Sequence, residues 1–246
     1  MSTSKKSAMK QRRLQQRRKE RQMVFLAVAG AVLVLIAIVV GASLIQQNQP
    51  VGEIKPITPV DRPNPSGTAM GNPDAPVRIE VFEDFQCPAC QLFTKNVEPL
   101  IMQELVSAGI AYYVFRHYPF LDDASATRES DQAANASLCA ADQDRFWDYH
   151  DIIFNNWDGE NQGAYANKRL VAFAELLGLD MDSFNTCFKD NRFKSVVEQD
   201  LREGKSMGVT GTPSVFVNGQ VVNPGLVPSF EDIKAAVEAA LAAGGG

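Results

Sequence analysis

Histidine and cysteine are both scarce in this chain, which has 246 residues but only two histidines and four cysteines. A structural zinc site uses four cysteine or histidine ligands, usually as two closely spaced pairs. Here only Cys87 and Cys90 form a close pair, because Cys139 and Cys187 each stand alone. The sequence therefore predicts no metal site, and the close pair needs another explanation.

Long apolar runs are also lacking, apart from one at residues 23–45 that contains no charged residue. As a helix this run would extend about 34 Å, against about 30 Å for the hydrocarbon core of a bilayer. We expect a single transmembrane helix that acts as a signal anchor, and no further membrane-spanning region. A cleavable signal peptide is the alternative, although the apolar core of such signals has only about 7–15 residues.

Positive charge is concentrated at the amino terminus, where residues 1–22 carry nine Lys or Arg and one Glu, a net charge of +8. Because the whole chain carries −5, residues 23–246 carry −13. Clustered Lys and Arg beside an apolar run hold that flank in the cytoplasm. We expect a single-pass protein of the cell membrane, with a basic cytoplasmic tail at 1–22 and all residues after the anchor outside the cytoplasm. The acidic remainder argues against a nucleic-acid partner.

Residues 46–76 have few large apolar side chains and hold seven of the thirteen prolines. Such a segment cannot bury a core of its own, and its prolines favour extended backbone. The sequence therefore predicts a semi-rigid linker at 46–76, followed by a folded domain at 77–242.

The first half of that domain has a strand–helix–strand pattern. Residues 77–82 and 110–115 are rich in β-branched and aromatic side chains and predict strands. Between them, apolar residues recur at helical spacing, with Pro99 placed to kink the helix. Two strands joined by a helix predict a parallel pair with a right-handed crossover.

The second half begins with a predicted helical insertion of about four helices at about 123–206. Strand pattern returns at 214–222, where Asn218-Gly219 is typical of a two-residue hairpin turn. A last helix is expected to begin after Ser229, a favourable N-cap residue. The fold class is therefore α/β with helices inserted midway.

The stretch CPAC lies where a strand ends and a helix begins. Pro88 suits the first helical turn, which places Cys87 at or beside the N-cap. Unpaired N–H groups and the positive helix end favour a thiolate there, and the thiolate is the form that attacks disulfides. Cys90, one turn into the helix, would then be the resolving thiol. A purely structural bridge between the two cysteines remains the alternative.

A second feature of this kind is the glycine-rich stretch GVTGTPSVFVNG at residues 208–219. Proline at the first residue of a strand is tolerated in any fold. A glycine-rich loop that ends in Thr212-Pro213 nevertheless suits a cis peptide bond, which is rare and usually has a structural purpose.

Four segments together resemble the DsbA-like thiol–disulfide oxidoreductases, especially the membrane-anchored BdbD-like branch with a thioredoxin fold. They are VRIEVFEDFQCPAC, YVFRHYPF, the helical block and GVTGTPSVFVNG, and the resemblance covers roughly residues 70–242. It implies a thioredoxin-like domain with a helical insertion, and an enzyme that oxidises cysteine pairs in exported proteins. Reductase or isomerase activity, or a tethered peptide-binding module without catalysis, remain alternatives.

The same resemblance implies roles for particular residues and partners. Cys87 and Cys90 would be catalytic, with Pro88 and Ala89 completing the motif, and no cofactor would be needed. Pro213 would be a cis-proline lying against the dithiol, where the backbone of Thr212 pairs with extended substrate. Reduced exported proteins would be the substrates, and a quinone-linked membrane protein, DsbB-like or vitamin K epoxide reductase-like, would re-oxidise the enzyme.

One position departs from the family pattern, because the most strongly oxidising members have histidine where this chain has Ala89. A partly cationic imidazole helps to hold a thiolate, and alanine cannot. We therefore expect the pKa of Cys87 to lie below that of a free cysteine, but less far below than in those relatives, with a less oxidising potential.

Cys139 and Cys187 both fall in the helical insertion, where the simplest interpretation is a structural bridge between two helices. A second redox pair that shuttles electrons is the alternative. Asn135-Ala136-Ser137 matches a glycosylation sequon, but it lies within a predicted helix and is discounted.

Four polar residues flank the two strands of the predicted parallel pair. Glu83 and Asp84 precede the dithiol and could take the proton of Cys90 or be merely solvated acids. For Arg116 and His117, after the second strand, we expect structural roles.

Overall fold

The computed structural model describes residues 51–124 and 127–244, together with positions 23, 25, 26, 28, 30 and 32–41 nearer the amino terminus. The chain divides into two compact units, Met1–Pro50 and Val51–Gly246.

In the first unit, the described residues are helical, and their large apolar side chains are exposed. Over the described residues, no helix combines the length and the apolar character needed to cross a bilayer. The predicted tail at 1–22 and part of the predicted anchor, at positions 24, 27, 29, 31 and 42–45, lie outside the described residues. The anchor therefore stays a prediction.

In the second unit, the described strands form one mixed sheet in the order β1-β3-β2-β4-β5, with β2 and β3 parallel and the other neighbours antiparallel. The strands are β1 (Ala69–Met70), β2 (Val77–Glu83), β3 (Ala111–His117), β4 (Ser214–Val217) and β5 (Gln220–Val221). The α-helices are α1 (Pro88–Asn96), α2 (Glu98–Ile101), α3 (Glu129–Ala141), α4 (Phe146–Asn155), α5 (Asn167–Leu176), α6 (Met181–Lys189), α7 (Lys194–Ser206) and α8 (Phe230–Gly244).

The parallel β2–β3 pair is the centre of the sheet, as the strand–helix–strand pattern predicts. Its register runs from Val77 opposite Ala111 to Glu83 opposite His117, so both strands end together. One face of the pair packs into the main apolar core with α1 and the inserted helices, and the other face carries a smaller cluster around Phe82. Because α1 begins five residues after β2 ends, the start of α1 lies at this carboxyl edge.

Proline interrupts the helical crossover at the expected place. α1 ends at Asn96 with Val97 as its C-cap, Pro99 lies in the first turn of α2, and a π-helical turn (Met102–Val106) follows. Proline has no N–H to donate and clashes with the preceding turn of a helix. The predicted kink is therefore confirmed, as a break between two helices.

The helical insertion is confirmed, but it contains five α-helices, α3 to α7, where the sequence suggested about four. The extra boundary falls between α3 and α4, where Asp144 adopts a left-handed backbone conformation with φ 56° and stops the helix. Asn135 of the discounted sequon is buried in α3, and its side chain bonds to the backbone of Phe188 and Phe193.

The hairpin and the last helix also follow their sequence signals. β4 and β5 are joined by Asn218 and Gly219, with φ of 45° and 79°, the positive values that a tight turn of this type requires. At the start of α8, the hydroxyl of Ser229 accepts the N–H of Asp232 while the Asp232 carboxylate accepts the N–H of Ser229.

The linker prediction is wrong for residues 51–76, which lie on the domain. Asn156 accepts the N–H of Lys55 at 2.8 Å, and Arg169 donates to the carbonyl of Val51 at 2.6 Å. Further along, Ala69–Met70 joins the sheet as β1 against β3. These contacts are made chiefly by backbone groups, so the low apolar content of the segment gave no sign of them.

A disulfide joins Cys139 of α3 to Cys187 of α6, and both sulfur-bearing residues are buried. The predicted pairing is therefore confirmed.

Replacing Cys139 and Cys187 together by alanine should lower the free energy of unfolding by about 2–4 kcal/mol, because the bridge spans 48 residues and restricts the unfolded chain. Denaturant titration followed by circular dichroism measures this loss. Thiol exchange by the other two cysteines should keep its wild-type rate. A folded double variant that exchanges thiols much more slowly would instead support a redox role for the pair.

Candidate active site

Cys87 is the N-cap residue of α1, as the sequence predicts, with Pro88 in the first turn. Its backbone is extended (φ −71°, ψ 121°), and its N–H bonds to the carbonyl of Asp84 at 2.9 Å. Cys87 and Cys90 are free thiols, and the exposed fraction is 6% for Cys87 and 0% for Cys90. A reagent therefore meets Cys87 first.

The pKa of Cys87 is lowered to about 6, chiefly by a hydrogen bond from the Cys90 thiol. The side chain of Thr212 and the backbone N–H groups of Ala89 and Cys90 lower it further, while burial acts in the opposite direction. These N–H groups are the unpaired donors of the first helical turn, so the helix itself stabilises the thiolate. The direction of this shift agrees with the expectation from the sequence, and the smaller shift expected relative to the histidine-containing relatives stays a prediction.

Cys90 has the opposite character. Burial raises its pKa well above the ordinary value, and the hydrogen bond to Cys87 and the nearby carboxyl of Glu83 raise it further. One cysteine of the pair is therefore readily ionised, and the other is held as a thiol. A purely structural disulfide does not require two thiols of different pKa. The difference is the one expected if Cys87 attacks and Cys90 resolves the mixed disulfide.

The Thr212–Pro213 peptide bond is cis and lies directly against the dithiol. The Sγ atom of Cys87 donates a hydrogen bond to the carbonyl oxygen of Thr212 at 3.2 Å. The loop reaches this position because β4 runs antiparallel to β2 and begins with Ser214 opposite Phe82, close to the end of β2. Sheet topology thus brings together two motifs that are about 120 residues apart in the chain.

Glu83 lies on the face of β2 that α1 covers, and it is only 1% exposed. Burial raises its pKa well above the ordinary value, the charges of Glu98 and Cys87 add to this, and the Cys90 thiol and Thr94 hydroxyl partly offset it. Over the described residues, neither carboxyl oxygen has a hydrogen-bond partner at normal geometry. Glu83 is therefore a buried acid beside Cys90, and the solvated alternative is wrong.

Asp84 is also buried, but it faces the helical insertion. Its carboxylate accepts the Ser130 hydroxyl at 2.6 Å and the N–H groups of Gln86 and Leu121 at 2.8 and 3.0 Å. Burial raises its pKa to about 7, although these bonds act in the opposite direction. Asp84 therefore holds the active-site loop in place and does not contact the sulfur atoms in any described bond.

Gln86 completes this clamp, which the sequence did not reveal. Its carbonyl accepts the indole N–H of Trp157 at 2.7 Å, and its side chain bonds to Ser130 and to the backbone N–H of Asn161. All three partners belong to the inserted helices and their connecting loops. The insertion thus fixes the loop that presents Cys87.

Arg116 and His117 have structural roles, as expected. Arg116 forms ion pairs with Glu80 and Asp200, both at 2.9 Å, and the N–H of His117 bonds to Asp200. The His117 ring is buried, which lowers its pKa to about 3 and keeps it neutral at physiological pH.

A further polar cluster lies behind the active-site helix, where Glu98, His150 and Asp151 place donor atoms within 4.8 Å of one another. The sequence gave no sign of this grouping. The Arg62 guanidinium lies 2.9 Å from each of the two carboxylates. The positive charge of the cluster is therefore supplied by an arginine.

Comparison with known proteins agrees with this geometry, since a family model described as thioredoxin matches residues 63–239. The chain belongs to the thioredoxin family. Within it, a Bacillus anthracis protein described as a probable disulfide bond formation protein D is 29% identical over 174 residues, which are 69% of this chain and 76% of that protein. Disulfide bond formation protein D of Bacillus subtilis is 25% identical over 177 residues, 69% of this chain and 74% of that one.

The solved structure of oxidised BdbD from Bacillus subtilis has the same fold, with a TM-score of 0.63 and 24% identity over 76% of this chain and all of that one. The alpha-DsbA1 structure from Wolbachia pipientis gives a TM-score of 0.61 at 23% identity, over 74% of this chain and 94% of that one. Together with the family match, these findings confirm the DsbA-like resemblance. This thioredoxin-family chain is a thiol–disulfide oxidoreductase.

Titration of the reduced protein should show the thiolate of Cys87 forming at about pH 6, followed by absorbance at 240 nm. Replacing Cys90 by alanine should move the midpoint upward, because the strongest hydrogen bond to the sulfur is lost. The oxidised protein, which has no free thiol in the motif, provides the baseline. A wild-type midpoint near 8.5, the value for a free cysteine, would contradict the assignment.

Proposed function

We propose that the protein introduces disulfide bonds into exported proteins outside the cytoplasm. A substrate thiolate attacks Cys87 of the oxidised Cys87–Cys90 bridge, and a mixed disulfide forms while Cys90 leaves with the electron pair and takes up a proton. A second substrate thiolate then attacks the substrate sulfur, and Cys87 leaves as a thiolate. Two substrate thiols are thereby oxidised to a disulfide, and the enzyme dithiol is reduced.

The observation that carries this proposal is the difference between the two thiols. A thiolate of low pKa is a good leaving group, so the mixed disulfide at Cys87 breaks readily in favour of the substrate disulfide. The lowered pKa of Cys87 also stabilises the reduced enzyme, which strengthens the oxidised form as an oxidant. Both effects favour transfer of the disulfide from the enzyme to the substrate.

Glu83 supplies the proton that Cys90 needs on leaving and accepts it in the reverse step. It suits both because it is buried beside Cys90 and because its pKa, like that of Cys90, is raised, so that it can hold a proton and pass it to Cys90. Ala89 provides no imidazole beside Cys87, so we expect a weaker oxidant than the relatives that have histidine there.

Extended substrate would bind beside the Thr212–Pro213 loop. The carbonyl oxygen of Thr212 lies 3.2 Å from the Sγ atom of Cys87, so the backbone of this loop is next to the reacting sulfur. Pairing of a substrate strand with this backbone would align a cysteine with Cys87 without demanding a particular sequence.

For location, we propose that residues 23–45 anchor the protein in the cell membrane, with residues 1–22 in the cytoplasm. The uncharged apolar run and its basic flank support this arrangement. A quinone-linked membrane protein, DsbB-like or vitamin K epoxide reductase-like, would take the two electrons from the reduced dithiol. Anchoring both proteins in one membrane would raise their effective concentration.

Trapping of a mixed disulfide tests the reaction. The oxidised wild-type protein should convert a reduced, unfolded ribonuclease to disulfide-bonded forms and become reduced itself. With Cys90 replaced by serine, no internal bridge can form. That variant, activated at Cys87 with a small disulfide reagent, should give a covalent complex with the client on non-reducing gels.

The variant with Cys87 replaced by serine is the matched control and should give no complex. An undiminished client reaction in this control would refute the proposal. If the wild-type protein instead reduces a disulfide-bonded client and never oxidises the reduced one, the proposed oxidase direction is wrong, although Cys87 and Cys90 remain the site of exchange.

A further inference from the structure

Arg62 is a buried cation that lies outside the active site and has no part in the reaction as described so far. Its side chain is 5% exposed, forms ion pairs at 2.9 Å with Glu98 and with Asp151, and lies over the Trp147 ring at 4.7 Å. It belongs to residues 51–76, the part of the predicted linker that lies on the domain. A buried arginine with two carboxylate partners needs an explanation, because burying charges costs free energy even when they are paired.

Glu98 connects this cluster to the active site. One carboxylate oxygen accepts from Arg62, while the other lies 3.5 Å from the hydroxyl of Tyr113 and 3.7 Å from His150 Nε2. Tyr113 and Glu83 lie on the same face of the β2–β3 pair, beneath α1. Glu98 is therefore a buried negative charge on the same side of the sheet as the acid beside Cys90.

A cleft of about 600 Å³ runs along this side of the molecule. Arg62, Thr94, Glu98 and Asp151 all contribute to its wall. The hydroxyl of Thr94, one helical turn beyond Cys90, is buried and has no hydrogen-bond partner in the described part of the chain. The cleft thus places Arg62 and Glu98 on the side of α1 that carries Thr94, a residue that acts on the pKa of Glu83.

The titratable groups that act on Glu83 come from three elements. Cys87 caps α1, Cys90 belongs to α1, Glu98 to α2 and Tyr113 to β3. The neutral ring of His117, opposite Glu83 in the register, also belongs to β3. Among them, Glu98 makes the largest charge contribution to the raised pKa of Glu83. Arg62 opposes that contribution, because a positive charge paired with Glu98 at 2.9 Å cancels much of its field.

We propose that Arg62 is a positioning residue for the exchange reaction, which neutralises Glu98 so that Glu83 can ionise when it takes the proton of Cys90. The inference rests on the proposed function of the dithiol. Without Arg62, the buried charge of Glu98 acts in full on Glu83 and opposes its ionisation. Without Glu98, ionisation of Glu83 becomes easier. Removal of the two partners therefore has opposite effects on one proton transfer, although both removals cost stability.

Reaction of the reduced protein with Ellman's reagent separates the relevant step. Attack by Cys87 releases a first thionitrobenzoate, and attack by Cys90 on the resulting mixed disulfide releases a second one. Stopped-flow absorbance at 412 nm follows both phases. The pH dependence of the second phase reports proton loss from Cys90, and the first phase is an internal control for Cys87.

Glu98→Gln should move the pH midpoint of the second phase downward and speed that phase by about tenfold below the wild-type midpoint, as expected for loss of one buried charge. Arg62→Gln should move the midpoint upward and slow the phase by a similar factor. The double variant should return close to the wild-type profile. The first phase should change less than the second in all three, since neither residue is among the main causes of the lowered pKa of Cys87.

Arg116→Gln is the matched control, because Arg116 also pairs with carboxylates, those of Glu80, Asp200 and Glu203, but on a different part of the sheet. It should lower thermal stability and leave the second phase unchanged. If Arg62→Gln does not fold, Glu98→Gln alone decides, and an unchanged second phase in that variant overturns the inference. Shifts of both single variants in the same direction overturn it as well.

Failure of the proposed function gives a different result. A wild-type protein that releases only one thionitrobenzoate has no resolving cysteine, whatever Arg62 and Glu98 do. If the wild-type protein releases two equivalents of thionitrobenzoate and the variants leave the second phase unaltered, only the role of Arg62 is refuted.

Discussion

The chemistry of this protein depends on the sulfur atom of Cys87 at the open end of a helix, where the Cys90 thiol and the first-turn N–H groups stabilise its negative charge. The fold arranges everything around that atom. The parallel β2–β3 pair ends at one edge, α1 begins there, and antiparallel β4 brings the Thr212 carbonyl to 3.2 Å from the sulfur. Stabilisation of the Cys87 thiolate lowers the free energy of the reduced protein and makes this sulfur a good leaving group.

Beneath that sulfur, the arrangement of charge changes with depth. Cys90 and Glu83 are buried, and each is kept from ionising by burial and by its neighbours. Deeper still, the charges of Glu98 and Asp151 are compensated by Arg62. Charge is thus present at Cys87 near the surface and in the compensated ion-pair cluster, with two groups between them whose ionisation is opposed. The helical insertion fixes the loop above through Gln86.

Sequence patterns predicted the features that are determined locally. The CPAC motif, the Asn218-Gly219 turn and the capped start of α8 each depend on a few neighbouring residues, and the structure has each of them at the expected position. What the sequence could not show were contacts between distant segments with no apolar pattern. Arg62 is one charged residue in a proline-rich stretch, and its partners lie 36 and 89 residues away. The sequence left open whether Glu83 is solvated or acts on Cys90, because its burial depends on α1 packing over it.

The equilibrium of the Cys87–Cys90 pair with a glutathione buffer is the most direct measurement of this account. Because the thiolate is stabilised but the motif has no histidine, we expect an intermediate reduction potential. It should lie between about −270 mV, typical of thioredoxin, and about −120 mV, typical of the strongest oxidants of the family. A potential at or below the thioredoxin value would mean that the Cys87 thiolate is stabilised no more than the corresponding thiolate of thioredoxin, and would contradict the account.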